Sequence, residues 1–202
     1  MNQLTFKQYR SIDVTIFCVI TVIFEALASL ASNQWFVLQA MSVSITLTIT
    51  CITMFRWGIF SVAPALLGAL SYCITSGANP KQYVIYCGGS ILCILALPLL
   101  KKMGKEKARV DFFRRSLLAV IVYLLTTMGR WIISLIFEPS LDTFLPFITT
   151  DSLSLLFAIV VLTLAKNIDG LIEDQKTYLL RLDRERKEEE QKNLQDPFND
   201  PY

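Results

Sequence analysis

The chain reads as long apolar runs separated by short polar breaks. An α-helix needs roughly 20 mostly apolar residues to cross the hydrocarbon core. Six runs approach that length: Ile12–Ala31, Phe36–Met54, Ile59–Thr75, Tyr83–Leu100, Leu117–Phe137 and Phe144–Ala165. Each predicts a transmembrane helix. The third is short and carries Pro64 and Gly68, breakers that membrane helices tolerate where neighbours satisfy the freed backbone groups. The second alternates Ser42, Ser44, Thr46, Thr48 and Thr50 with apolar residues, which is the period of a strand. A barrel needs that alternation in every segment, and the other five lack it. Read as a helix, the second run puts Ser42, Thr46, Thr50 and Thr53 on one face. That face either packs tightly through small polar residues or lines a cavity. The predicted fold is all-α: a polytopic membrane protein with six transmembrane helices.

Charge orients the spans. Lys101, Lys102, Lys105, Lys107, Arg109, Arg114 and Arg115 lie between the fourth and fifth runs, and basic loops stay on the cytoplasmic side. Six spans then place both termini in the cytoplasm, in agreement with Lys7, Arg10 and Arg56. The outer loops hold Lys81 as their one basic residue. The expected location is the cell membrane. Composition agrees: 53% of residues are hydrophobic, 18% are charged and mean hydropathy is +0.50, where soluble domains carry about 25% charged residues. The first run has the look of a signal peptide ending in Ala26-Leu27-Ala28, but Glu25 interrupts its apolar stretch. Beyond Lys166 the composition turns abruptly polar, dividing the chain into a membrane domain, 1–166, and a charged cytoplasmic tail, 167–202. Ile168, Ile172, Gln175, Leu179 and Leu182 repeat at helical spacing. They predict an amphipathic helix continuing from the sixth span, with a stripe fit to dock on the basic loop or on a cytoplasmic partner. The end, with Pro197 and Pro201, is predicted to be disordered.

Ionisable residues within spans are costly and mark candidate sites. Glu25 and Arg130 fall about 10 Å below the outer surface at about 1.5 Å per residue, and Asp151 opens the sixth span on the same side. Arg130 either ties helices together through Glu25 or Asp151, or faces an outward cavity where its planar fork meets an anionic or polar solute. Trp35 and Gln39 at the first outer turn, and Asn79, Tyr83 and Tyr86 at the second, are candidates to complete a pocket. Five cysteines at irregular spacing form no disulfide framework and read as small packing residues. The chain has no histidine, which removes the usual catalytic dyads and triads; it also has no phosphate-binding glycine loop. It is expected not to be an enzyme and to need no cofactor. Its basic residues form no stripe interleaved with aromatics, so no nucleic-acid partner is expected.

The layout, the short third span with spaced small residues (Ser61, Ala65, Ala69) and the sixth span opening at Thr149-Thr150-Asp151 resemble the substrate-binding S components of energy-coupling factor (ECF) transporters. So do Tyr83-Val84-Ile85-Tyr86-Cys87-Gly88-Gly89 and Asp169-Gly170-Leu171-Ile172-Glu173-Asp174-Gln175. The resemblance covers about residues 7–182. It implies capture of a vitamin or similar micronutrient from outside and association with a membrane coupling subunit and two ATPases. It also implies an outer site around Gln34–Gln39, Asn79–Tyr86, Arg130 and Asp151. The family's Ala-x-x-x-Ala pair on the first helix is missing, Ala28-x-x-x-Ser32 being the nearest. The other reading is a membrane scaffold without transport, in which the buried charges are purely structural.

Overall fold

The computed structural model describes residues 5–35, 43–137, 139 and 144–195, with side chains left out at 33–35, 189, 190 and 192–195. The described residues form helices and turns, with no strand among them. The helices are α1 (Phe6–Trp35), α2 (Thr46–Trp57), α3 (Val62–Thr75), α4 (Pro80–Ile91), α5 (Leu97–Met103), α6 (Lys105–Val110), α7 (Phe112–Phe137), α8 (Phe144–Ala165) and α9 (Gln175–Gln195). Among the described residues, five stretches are long and apolar enough to cross a membrane: Phe6–Ser32, Thr46–Thr75, Pro80–Met103, Phe112–Phe137 and Phe144–Ala165.

The second of these stretches folds back on itself. Thr46 and Gly68 would stand about 33 Å apart on one straight helix. In the structure they touch: a Cβ added to Gly68 would lie 2.2 Å from Thr46 Oγ1. The reversal occurs at Gly58, whose φ of 61° suits a residue without a Cβ, followed by a 3-10 turn over Gly58–Ser61. Thus α2 and α3 correspond to two separate sequence runs. The described part of the second run begins at residue 43. The run through Tyr83–Leu100 is likewise a composite, with α4 and α5 joined by a 3-10 turn over Leu92–Ala96.

Helix α2 sits at the centre of the bundle. It touches α1, α3, α7 and α8, and its residues from Thr48 to Trp57 are buried. Around it α1 packs on α3, α3 on α4, α4 on α7, and α7 on α8. The core includes Cys51, Met54, Phe55, Cys93, Leu100, Leu118, Val122 and Leu162. Four of the five cysteines are buried and all are free, as their apolar surroundings predict. The outward faces stay apolar; on α1 Ile12, Ile16, Val19, Ile23, Phe24 and Leu27 are exposed. An apolar exterior of this extent suits lipid and not water.

The end of the bundle that carries the basic loop is held by ions. Asp13 accepts hydrogen bonds from Arg56 Nε at 2.8 Å and Nη2 at 2.7 Å, and from the Trp57 indole. The remaining arm of Arg56 donates to the Gly170 carbonyl. Glu173, 4% exposed, is bridged by Arg109 at 3.1 Å and Arg181 at 3.2 Å. Asp174 pairs with Lys105. The segment after α8 therefore docks on the basic loop. It does so as a series of turns from residue 166 to 174, so the sixth span does not run on as one helix through Ile168 and Ile172. The helical spacing there is broken at Gly170, which takes φ 73° with the Tyr178 ring packed against it; α9 starts only at Gln175.

Candidate functional site

At the opposite end of the bundle, the buried charges of three helices converge. Glu25 of α1 is 4% exposed. Its Oε2 accepts hydrogen bonds from the hydroxyls of Ser44 and Thr46, each at 2.8 Å, and from the backbone N–H groups of Ile45 and Thr46 at 3.2 and 3.3 Å. These are unsatisfied donors at the N-terminus of α2, where the helix dipole also favours an anion. Glu25 is thus the cap of the central helix, and α2 has no capping side chain of its own.

Arg130 of α7 pairs with Asp151 of α8. Its guanidinium carbon lies 4.8 Å from the centroid of the Tyr86 ring of α4, a cation–π contact. Tyr86 in turn lies 5.1 Å from the Tyr72 ring and 6.4 Å from the Phe147 ring. Arg130 Nη1 is engaged by Asp151, whereas Arg130 Nε is buried without a hydrogen-bond partner. Close approach of α4 and α7 positions the arginine: a Cβ at Gly89 would fall 2.5 Å from Arg130 Cγ and 2.6 Å from its backbone nitrogen.

Several cavities meet at this pair. One, with about 20 Å³ of water-accessible space, is bounded by Glu25, Ser44, Thr46, Tyr72, Tyr86, Arg130 and Asp151. A second, of about 30 Å³, runs inward along α2 and is lined by Thr50, Ser90, Thr126 and Ser154. Each has room for a water molecule. Thr50, 2% exposed, has a hydroxyl with no partner. A third cavity, of about 220 Å³, lies over the ion pair between Tyr86, Pro146, Phe147 and Thr150. A fourth, of about 210 Å³, adjoins it along Asn79, Lys81, Gln82 and Phe137.

The structure brings together four of the residues singled out from sequence: Glu25, Tyr86, Arg130 and Asp151. Asn79 contributes to the adjoining cavity while capping α4, in a reciprocal pair of hydrogen bonds with Gln82. Tyr83 is half-buried and lines none of these cavities. Gln39 and the side chain of Trp35 lie outside the described residues. Tyr72 and Phe147 are not singled out by the sequence pattern, and Ser44 and Thr150 stand in it only within the second run's alternation and Thr149-Thr150-Asp151, not as binding candidates. Phe147 carries a signal, standing four residues before Asp151 on the same helix face; Tyr72 carries none, since its place depends on the α2–α3 turn. The hydroxyl face of α2 serves both expected uses. Thr46 and Thr50 line cavities, while Thr53 donates back to the Ile49 carbonyl.

Comparison with protein-family models, with curated proteins and with solved structures finds no match. The reading of this site rests on its own geometry.

Proposed function

We propose that this chain is the substrate-binding membrane subunit of an ATP-driven importer of the ECF type. In this reading six helices span the cell membrane with both termini in the cytoplasm. The outer site captures a vitamin or similar organic micronutrient, and a coupling subunit with two ATPases drives its release inward. The observation that carries the reading is the half-used guanidinium of Arg130. It lies half-buried beside an aromatic ring, below a cavity of about 220 Å³, with its buried Nε unpartnered. A buried donor left unmade is costly, and an incoming carboxylate, phosphate or carbonyl oxygen would satisfy it. Tyr86 and Phe147 supply faces for a ring, and Asn79 and Lys81 a polar rim.

A tagged copy purified from its native host tests the whole proposal. Recovery of a membrane coupling subunit and two ATPases, with a small molecule released on denaturation, is the expected result. Recovery of the chain alone, where a known S component brings down its module, overturns it. One observation favours the scaffold reading for part of the site. Glu25 spends Oε2 on capping α2, which favours a structural role for it and leaves the solute-binding duty to α4, α7 and α8.

A further inference from the structure

A larger cavity lies at the other end of the bundle. The start of α1 and the first turns of α9 enclose a cleft of about 570 Å³. Its floor is Phe6, Leu179, Leu180 and Leu182, and its rim carries Lys176, Asp183 and Arg186. Leu180 is 59% exposed and Phe6 41%, so the floor is open. We propose that this cleft binds an anionic phospholipid of the leaflet it faces.

Depth is the first argument. With Glu25 about 10 Å below the outer boundary, a hydrocarbon core of about 30 Å ends near Ile12 at about 1.5 Å per residue. Phe6 and Tyr9 then lie roughly 5–9 Å beyond it, in the headgroup layer. Charge is the second argument. Asp183 is shared by Arg186 at 2.7 Å and Lys187 at 2.8 Å, so these three groups retain one positive charge. The Lys176 ammonium has no acidic partner among the described residues, and Lys7 follows Phe6. An apolar floor with a cationic rim at headgroup depth suits an acyl chain and a phosphate together. A soluble anion would leave the floor exposed. The proposal rests on the span layout given above and not on the solute site.

The test uses the full chain, delipidated in detergent, titrated separately with phosphatidylglycerol, phosphatidylcholine and inorganic phosphate, with adducts counted by native mass spectrometry. Phosphatidylglycerol is expected to bind at least tenfold tighter than phosphatidylcholine, and inorganic phosphate to displace none of it. The double variant K176E/R186E is expected to lose that preference at least fivefold, as is L180N, which changes an exposed position where folding is not at stake. The charge-matched control K101E/K102E is expected to keep it. Equal binding of both lipids, displacement by inorganic phosphate, or an equal loss in the control overturns the proposal. Cysteine labelling at Lys81 and Lys102 reports the span layout independently, so a wrong layout and an absent lipid site give different results.

Discussion

At the residue scale, two buried charges have opposite structural duties. Glu25 serves four donors of the central helix through one oxygen. Glu25→Gln keeps an acceptor there and loses the charge, whereas Glu25→Ala strands the donors. Thermal unfolding in detergent is expected to show a cost of about 1–3 kcal/mol for the alanine variant, and a smaller one for glutamine. Arg130 instead depends on a partner it does not exhaust. Arg130→Ala removes the cation opposite the half-buried Asp151 carboxylate, and breaking a fully buried pair costs about 3–5 kcal/mol, so a smaller loss is expected here. The double variant R130A/D151N is expected to recover much of that stability while solute binding stays lost. Recovery of binding together with stability would assign Arg130 a purely structural role. The sequence marked both residues because charge inside an apolar run is conspicuous. It could not say that Glu25 would meet a helix N-terminus, since the second run reads as helical from Phe36, whereas residues 43–45 are not helical and α2 starts at Thr46.

At the element scale, the contact of α4 with α7 fixes where Arg130 sits. Gly89 and Gly129 face each other across it, and a Cβ at Gly129 would lie 3.0 Å from Gly89 Cα. Gly89→Ala must push the helices apart or displace the arginine backbone. Its expected cost is about 1–3 kcal/mol, typical of overpacking. It should also weaken solute binding by an order of magnitude or more, read by equilibrium dialysis on the folded fraction. The same substitution at Gly77, whose missing Cβ faces open space but whose φ is 65°, is expected to cost about 1–2 kcal/mol through backbone strain and to leave binding unchanged. Such contacts are partly legible from sequence. Gly88-Gly89-Ser90 marks a surface fit for close packing, yet nothing in a single chain tells which helix comes to it. The tail shows the opposite case. Its spacing predicts one helix running on from the sixth apolar run, but a glycine at positive φ and the pull of Arg56, Lys105 and Arg109 on the 170–174 backbone and carboxylates turn its first part into a docked loop.

At the scale of the whole molecule, a strongly polar end and an apolar girth were legible from hydropathy and from the cluster of lysines and arginines after the fourth run. The central place of α2 was not. A run rich in serine and threonine looks like a lining, and here it became the axis of the bundle: Ser44 and Thr46 serve Glu25, Thr53 serves its own backbone, and the buried Thr48 and Thr50 hydroxyls are left without a partner. The proposed layout, with both termini in the cytoplasm, predicts a simple labelling pattern. With the five native cysteines replaced, Lys81→Cys should react with an impermeant maleimide in intact cells. Lys102→Cys should react only after the membrane is opened. Labelling of both in intact cells would contradict the layout.

The pairing of the outer charges has a consequence for how the chain is made. Glu25 and Thr46 are separated by 21 residues, and so are Arg130 and Asp151. In each case the partner stands on the next apolar run to leave the ribosome. A carboxylate or guanidinium entering the bilayer alone is expensive, but here each is followed within one hairpin by the group that satisfies it. Biosynthesis can therefore proceed hairpin by hairpin, α7 with α8 entering as an ion pair and α1 with α2 as a carboxylate already hydrogen-bonded by Ser44, Ile45 and Thr46, and neither charge has to wait for the complete bundle to form.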